Sequence, residues 1–404
     1  MSARSTLCSI LVAAAVATGY AGVASATDRY FFDKDESSPN GRFRVTAISP
    51  DNADGRPQRA FQSDFCYTLH DVESGDILWQ RDLTDWAPIR VWVHDDSSVV
   101  IWDARHAFIA LDALTGEARV EAHLRELVPE EDWHAGHIHQ TTAGPMWTSN
   151  AHFIFFQFDD RTWFGCRTGW DRVFVLDFGD GRSITDPTAP ITSAMDAALR
   201  DRAMSVLRAA ADNTEPIVEP RLYETDAAVL DALDIAGRLR LRDALPFIRE
   251  LEQVNPASSH PLPIFSPETA DETTVLRPFR LRQWAHTTLR RLGETPRPLP
   301  CMYVTEDAWS APIACLEVPA DRTAGIASLA TQCSRSDVLT ALGPPDDILD
   351  ARNSNRWLYA IDEHGGSSLL QVEFPDDGGL GTWKRIDDAS ILLRAPNERT
   401  EWPW

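Results

Sequence analysis

Lysine is almost missing from this sequence. Of the 38 basic residues in 404, only Lys34 and Lys384 are lysines, and they stand against 61 acidic residues for a net charge of −23 at pH 7. A chain this acidic is repelled by nucleic acid and by anionic lipid surfaces, so functions that rest on a broad basic face are excluded and no nucleic-acid partner is expected. Long apolar runs are scarce as well. No segment after residue 26 strings together 18 apolar residues, which leaves the mature chain without a membrane-spanning helix. Catalytic signatures are also missing: there is no Gly-x-Ser-x-Gly elbow, phosphate loop, dinucleotide fingerprint or HExxH zinc motif. These absences favour a non-catalytic protein that carries no cofactor, with zinc at one histidine cluster as the exception to test.

The first 26 residues differ from the rest. Arg4 precedes an apolar run from Leu7 to Ala17, and Ala24-Ser25-Ala26 supply small residues for cleavage. This is the layout of a secretory signal peptide cut after Ala26, and the run is too short to cross a bilayer. Removing it takes away one basic residue and no acidic one, leaving −24. The mature protein is expected in the periplasm or outside the cell, where disulfides are permitted. Five cysteines remain: Cys66, Cys166, Cys301, Cys315 and Cys333. The pair Cys66–Cys166 and one bridge among the last three are favoured, with at least one thiol left over; buried unpaired thiols are the alternative.

Residues 27–188 read as β-rich. Short runs such as GRFRVTAIS, SVVIWDA and HFIFFQF are full of β-branched and aromatic residues, with turn residues between them. Three segments share a pattern: YTLHDVESGDILW, IALDALTGEARVE and FVLDFGDGRSI each carry an apolar strand ending in Asp, a turn with Gly, and a second strand. Asp71 and Asp112 lie 41 residues apart, a blade-like period, whereas Asp112 and Asp177 lie 65 apart, which requires an insertion of 24. The stretch ALDALTG resembles β-propeller repeats of the WD or quinoprotein type. About 160 residues is short for a full propeller, so an incomplete propeller and a β-sandwich remain the two readings.

From 189 to 300 the pattern turns helical. SAMDAALRDRAMSVLRAAAD places Met195, Ala198, Leu199, Met204 and Leu207 at helical spacing. Ala236-Gly237, Ala244-Leu245-Pro246 and the run from Trp284 to Leu292-Gly293 resemble HEAT repeats of the bilin-lyase type, interrupted by NPASSHPLPIFSPETADETT. The last segment, 301–404, reads as a small α+β module. Ile326, Leu329, Ala330 and Cys333 form one helical stripe, and Ser334-Arg335-Ser336-Asp337 is a capping box for a second helix that ends at Gly343 before Pro344-Pro345. A meander follows, with Trp357, Tyr359 and Ile361 on one face, as are Leu370, Val372 and Phe374. Asp337-Val338, Leu342 to Asp346, Trp357 and Tyr359 resemble the small domain of the SmpA/OmlA-type outer-membrane barrel-assembly lipoproteins, although no lipidated N-terminal Cys is present. The resemblance implies an α-α-β-meander fold.

His134, His137 and His139, in DWHAGHIHQ, are the candidate metal ligands, because imidazoles suit zinc and a bend can gather three rings. Asp132 is placed to orient a ring, and His152 or Asp159 to complete the set. Trp163 and Trp170, around TWFGCRTGW, are candidates for stacking on a sugar because that segment reads as a loop. The acidic DKDESSPNG is a solvated turn, since Ser38 stands where a calcium loop needs glycine. The leading reading is an exported protein-binding or scaffolding protein of the bacterial cell envelope. A metal-dependent hydrolase or lyase and a carbohydrate or cell-wall binder are the alternatives. The oligomeric state is left open.

Overall fold

The computed structural model describes residues 32–52, 65–83, 87–135, 137–141, 144–147, 151–212, 226–253, 275–278, 280–296, 301–305, 308–312, 322–351, 354–363, 366–375, 379–386 and 389–394. The segment expected to be a signal peptide, Cys315, the Pro- and Ser-rich insertion and the terminal EWPW lie outside the described residues. The fold is mixed α+β, with six antiparallel sheets and eight α-helices among the described residues. It divides into two compact units, Met1–Thr192 and Ser193–Trp404.

The N-terminal unit is built from three four-stranded meanders, each with its strands in sequence order. The first holds β1 (Lys34–Ser37), β2 (Phe43–Ile48), β3 (Phe65–Asp71) and β4 (Asp76–Leu83); the second holds β5 (Pro88–Val93), β6 (Val99–Asp103), β7 (Ala107–Leu111) and β8 (Ala118–His123). Two short helices, α1 (Leu124–Leu127) and α2 (Glu130–His134), and a hairpin of β9 (His139–Thr141) and β10 (Gly144–Met146) intervene. The third sheet then runs through β11 (His152–Phe158), β12 (Arg161–Arg167), β13 (Val173–Asp177) and β14 (Arg182–Ile184). The region is therefore not purely β, and among the described residues the three sheets close into no ring.

Side-chain alternation explains the stacking. In β2, Phe43, Val45 and Ala47 point into the core while Arg44 and Thr46 point away, so the first sheet buries one face. In β6 and β7 every residue is buried. Val99, Ile101, Ile109 and Leu111 join the core of the first sheet, whereas Val100, Trp102, Phe108 and Ala110 join that of the third. The second sheet is thus the shared middle layer. Each large side chain so buried contributes roughly 1.5–3 kcal/mol, which is why apolar runs without alternation occur here and nowhere in β2 or β3.

The repeated Asp-to-Gly segments are the turns between the third and fourth strands of the three sheets. In each, the Asp carboxylate accepts two backbone N–H groups of the turn: Glu73 and Ser74 on Asp71, Leu114 and Thr115 on Asp112, Gly179 and Asp180 on Asp177. In each, the Gly N–H donates to the Asp carbonyl, with φ of +79° at Gly75, +68° at Gly116 and +66° at Gly181. An arginine pairs with every one of these carboxylates: Arg42, Arg119 and Arg182. Burial works against the Asp112 charge, yet the donors from Arg119 and the turn bring its pKa down to about 2. At Gly116 a Cβ would stand 2.7 Å from the Trp79 ring. Gly116→Ala is expected to destabilise the unit by about 1–3 kcal/mol through left-handed strain and that clash. Chemical denaturation checks this, and Glu117→Ala next door, on an exposed side chain, should leave the midpoint within about 0.5 kcal/mol of native.

The C-terminal unit begins with α3 (Pro190–Asp212), whose buried side, Met195, Leu199, Ala203 and Leu207, recurs every four residues. It continues with α4 (Asp226–Arg238), α5 (Leu245–Leu251), a short strand β15 (Val275–Pro278) and α6 (Arg280–Arg291). β15 pairs with β16 (Cys301–Thr305), which pairs with β17 (Ala308–Pro312), so the middle segment is not wholly helical as expected. α6 is buried along most of its length despite its polar sequence, and several of its polar groups are matched by other elements. Thr288 donates to the Leu233 carbonyl at 2.9 Å, and Gln283 donates to Asp347 at 2.7 Å and to the Ile348 carbonyl at 3.1 Å.

The last segment follows the expected order: α7 (Arg322–Ser328), β18 (Gln332–Cys333), α8 (Arg335–Leu342), then β19 (Asp347–Ala351), β20 (Ser354–Glu363), β21 (Gly366–Pro375) and β22 (Gly381–Ile386). The capping box forms, with the Asp337 N–H donating to Ser334 Oγ and the Ser334 N–H to the Asp337 carboxylate. Trp357, Tyr359, Ile361, Leu370, Val372 and Phe374 share one core. The proposed helical stripe is corrected. α7 stops at Ser328, and Cys333 lies in a strand opposite Gly381, because the chain turns there to pair with β22.

Candidate functional site

The insertion of the N-terminal unit, between β8 and β11, carries Asp132, His134, His137 and His139. Leu124, Leu127 and Val128 of the α1 segment bury their side chains in the core shared by the second and third sheets, as do Ile138 and Trp147 further on. That anchoring fixes α2, whose first turn is acidic: Glu130, Glu131 and Asp132. Asp132 points inward. Its carboxylate accepts Trp170 Nε1 at 2.9 Å and Arg172 Nε at 2.8 Å and Nη2 at 3.1 Å, while Arg172 also reaches Glu131 at 3.1 Å. Burial raises the Asp132 pKa, but the donors from Arg172 and Trp170 and the nearby His137 outweigh it and hold the carboxyl below its ordinary value. His137 lies flat on Trp170, with ring centroids 5.3 Å apart and planes 3° from parallel, and Trp147 meets Trp170 edge-on at 6.2 Å.

The three histidines have different surroundings. His134 is exposed at the end of α2, 3.5 Å from Glu130 on the preceding turn. His137 stacks on Trp170, and His139 sits in β9 opposite Met146. Among the described residues no group of three His, Cys, Asp or Glu side chains is arranged to hold a metal ion. Of the two tryptophans, Trp170 meets the histidine segment, whereas Trp163 does not. The loop reading of TWFGC is corrected: it is strand β12, in which Trp163 pairs with Phe156 and Asp177, lies buried, and donates its indole N–H to the Phe158 carbonyl at 3.1 Å. Asp159 and Asp160, both with positive φ, make the strand-ending turn. The Cys66–Cys166 bridge is also corrected: both residues are free thiols, as is Cys333, with Cys66 half-buried on the first sheet and Cys166 buried in the core of the second and third. Burial pushes the Cys166 thiol well up and that of Cys333 to about 11, so neither is a ready nucleophile. Cys301 lies in β16.

Beside α2 opens a cleft of about 410 Å³ lined by Arg105, His106, His123, Arg125 and Trp133, with Leu124 and Glu126. Arg105 is held by buried Asp103 at 2.7 Å and by Glu121 at 3.0 Å. The Arg125 guanidinium lies over the Trp133 ring at 5.6 Å from its centroid. The wall therefore sets an indole beside guanidinium and imidazole donors. It suits a side chain or chain end that carries carbonyl or carboxylate oxygens next to apolar surface. No hydroxyl or thiol lines it. None of these lining residues stood out in the sequence. The one available signal was position: HLRELVPEEDWH opens the insertion that breaks the blade period.

No family model and no curated protein matches the sequence. Among solved structures, the crystal structure of BamB from Moraxella catarrhalis is similar to 39% of this chain, at 14% identity and a TM-score of 0.22. The matched part spans 37% of that chain, and a likeness at this score carries no argument about fold or function.

Proposed function

We propose that the chain is an exported, non-catalytic protein-binding module of the cell envelope, which holds a segment of a partner protein in the cleft beside α2. The observation that supports this is the mixed wall of the cleft, where Trp133 stands next to Arg125, His123 and Arg105. Aromatic and arginine side chains of this kind dominate binding energy at protein interfaces. The cleft is carried by α1 and α2, themselves anchored in the core of the stacked sheets, so its geometry is set before a partner arrives and little ordering entropy is lost on binding.

A photo-crosslinking residue in place of Glu126, in the full chain expressed in its own envelope, tests the reading. One discrete protein adduct is expected, weakened by about tenfold or more when Arg125→Glu is added, as for loss of a charge-assisted contact. An adduct pattern that Arg125→Glu and Trp133→Ala both leave unchanged, or no adduct at all, would falsify the proposal.

A further inference from the structure

Four arginines meet at one place in the C-terminal unit, on a chain whose net charge is −23. A cavity of about 340 Å³ is lined by Arg240, Arg242, Arg290 and Arg291 with Leu292 and Gly293, and no carboxylate is among its lining residues. Two sequence segments bring them together. α4 ends in a turn where Arg240 takes φ of +53°, and Arg242 follows in a short 3-10 turn; Arg290 and Arg291 form the last turn of α6. Basic residues at a helix C-terminus have an ordinary role against the helix dipole, and that accounts for some of the pair on α6. Arg240, just past the end of α4, can take the same role, but Arg242, in the separate 3-10 turn, is not accounted for in this way.

The occupancy of each guanidinium is uneven. Arg291 is tied down by Asp234 and by the Leu393 carbonyl. Arg242 donates to the Leu292 carbonyl at 3.1 Å and lies 3.9 Å from Glu294, with its side chain 70% exposed. Arg290 donates Nη2 to the Asp346 carbonyl at 3.2 Å, but its buried Nη1 makes no hydrogen bond and stands 3.9 Å from the nearest Asp347 oxygen. Arg240 is exposed and has no ion pair among the described residues. Burial depresses the Arg290 pKa in spite of the neighbouring Asp346 and Glu252, so its charge is incompletely balanced from within the fold. Spare donors on the exposed Arg240 and Arg242 thus face a space that Arg290 and Arg291 also line.

We infer that this cavity binds a phosphate group carried by a small soluble anion. One guanidinium fork satisfies a planar carboxylate, whereas several forks around one cavity suit a tetrahedral group with three terminal oxygens and close to two negative charges. A lipid headgroup offers the same chemistry, but a chain this acidic is repelled by an anionic bilayer, which favours the soluble source. The site lies outside the proposed protein-binding cleft and does not depend on it.

The test is calorimetric titration of residues 27–404 with inorganic phosphate and with pyrophosphate, alongside sedimentation with phosphatidylglycerol vesicles. Saturable binding of at least one soluble anion is expected, weakened by about tenfold or more in the double variant Arg240→Gln/Arg242→Gln. Both positions are exposed, so the fold should be kept, and an unchanged denaturation midpoint confirms it. No saturable binding of either anion, or equal affinity in the double variant, overturns the inference. So does retention on the vesicles without binding of either soluble anion, which would give the arginines to a membrane surface.

Discussion

Phe108→Ala is expected to lower the stability of the N-terminal unit by about 3–5 kcal/mol. Phe108 is fully buried in β7, on the face of the middle sheet that looks toward the third sheet. Its ring lies 4.4 Å from Trp102, 5.0 Å from Phe174, 5.9 Å from Phe153 and 6.1 Å from Trp147, so it belongs to both layers and to the insertion. The surroundings are large rings on hydrogen-bonded strands, which have few ways to collapse into the space that alanine leaves. Pairwise ring contacts add about 0.5–1.5 kcal/mol beyond burial. Urea denaturation followed by tryptophan fluorescence measures this directly, because Trp92, Trp102 and Trp147 sit in the same cluster. Phe108→Leu should recover about half of the loss, and Ile77→Ala, at a side chain 56% exposed, should stay within about 0.5 kcal/mol of native. If Phe108→Ala costs less than about 1 kcal/mol, the second and third sheets do not share a core.

Local chemistry was legible in the sequence wherever it had a short-range cause. The Asp-to-Gly turns at Asp71, Asp112 and Asp177 were visible because one carboxylate, two N–H groups and one positive φ make up the entire device. The Ser334/Asp337 capping box and the alternating faces of β20 and β21 were visible for the same reason. What failed depended on partners far along the chain. Trp163 looked like a loop residue because Gly165 and Thr162 flank it, and only pairing with β11 and β13 makes that stretch a buried strand. Cys66 and Cys166 looked pairable because spacing says nothing about which sheet a strand joins. The burial of the helix α6 was not legible in the sequence. Its burial rests on Asp234, Glu252 and Asp347, contributed by three other elements, and no periodicity within RLRQWAHTTLRR announces them. The cleft was hidden for the same reason, with Arg105 and Trp133 separated by 28 residues and joined only by the way α1 folds back.

Asp132→Asn should cost about 1.5–3 kcal/mol, the range for hydrogen bonds to charged groups, because the amide keeps one acceptor and places an NH2 group against donors from Arg172 or Trp170. The loss stays below that of a fully buried pair, since the Arg172 side chain is 43% exposed and retains Glu131. The pH dependence has a definite sign. The Asp132 carboxyl is depressed in the folded chain, so its contribution is complete above the unfolded value of about 3.9 and is lost as pH falls through the lower folded value. The gap in stability between the native chain and Asp132→Asn should therefore be constant from about pH 7 to pH 5 and should close only below about pH 4. A gap that closes already between pH 6 and 5 would rule out the Asp132 carboxyl as its source. The same substitution bears on the cleft. Asp132 and Trp133 are neighbours in α2, so releasing the carboxylate from Arg172 frees the helix that presents the indole. Crosslinking from position 126 should fall in Asp132→Asn even though Asp132 does not line the cleft, and Arg172→Lys, which keeps the charge but loses the fork, should fall between the two.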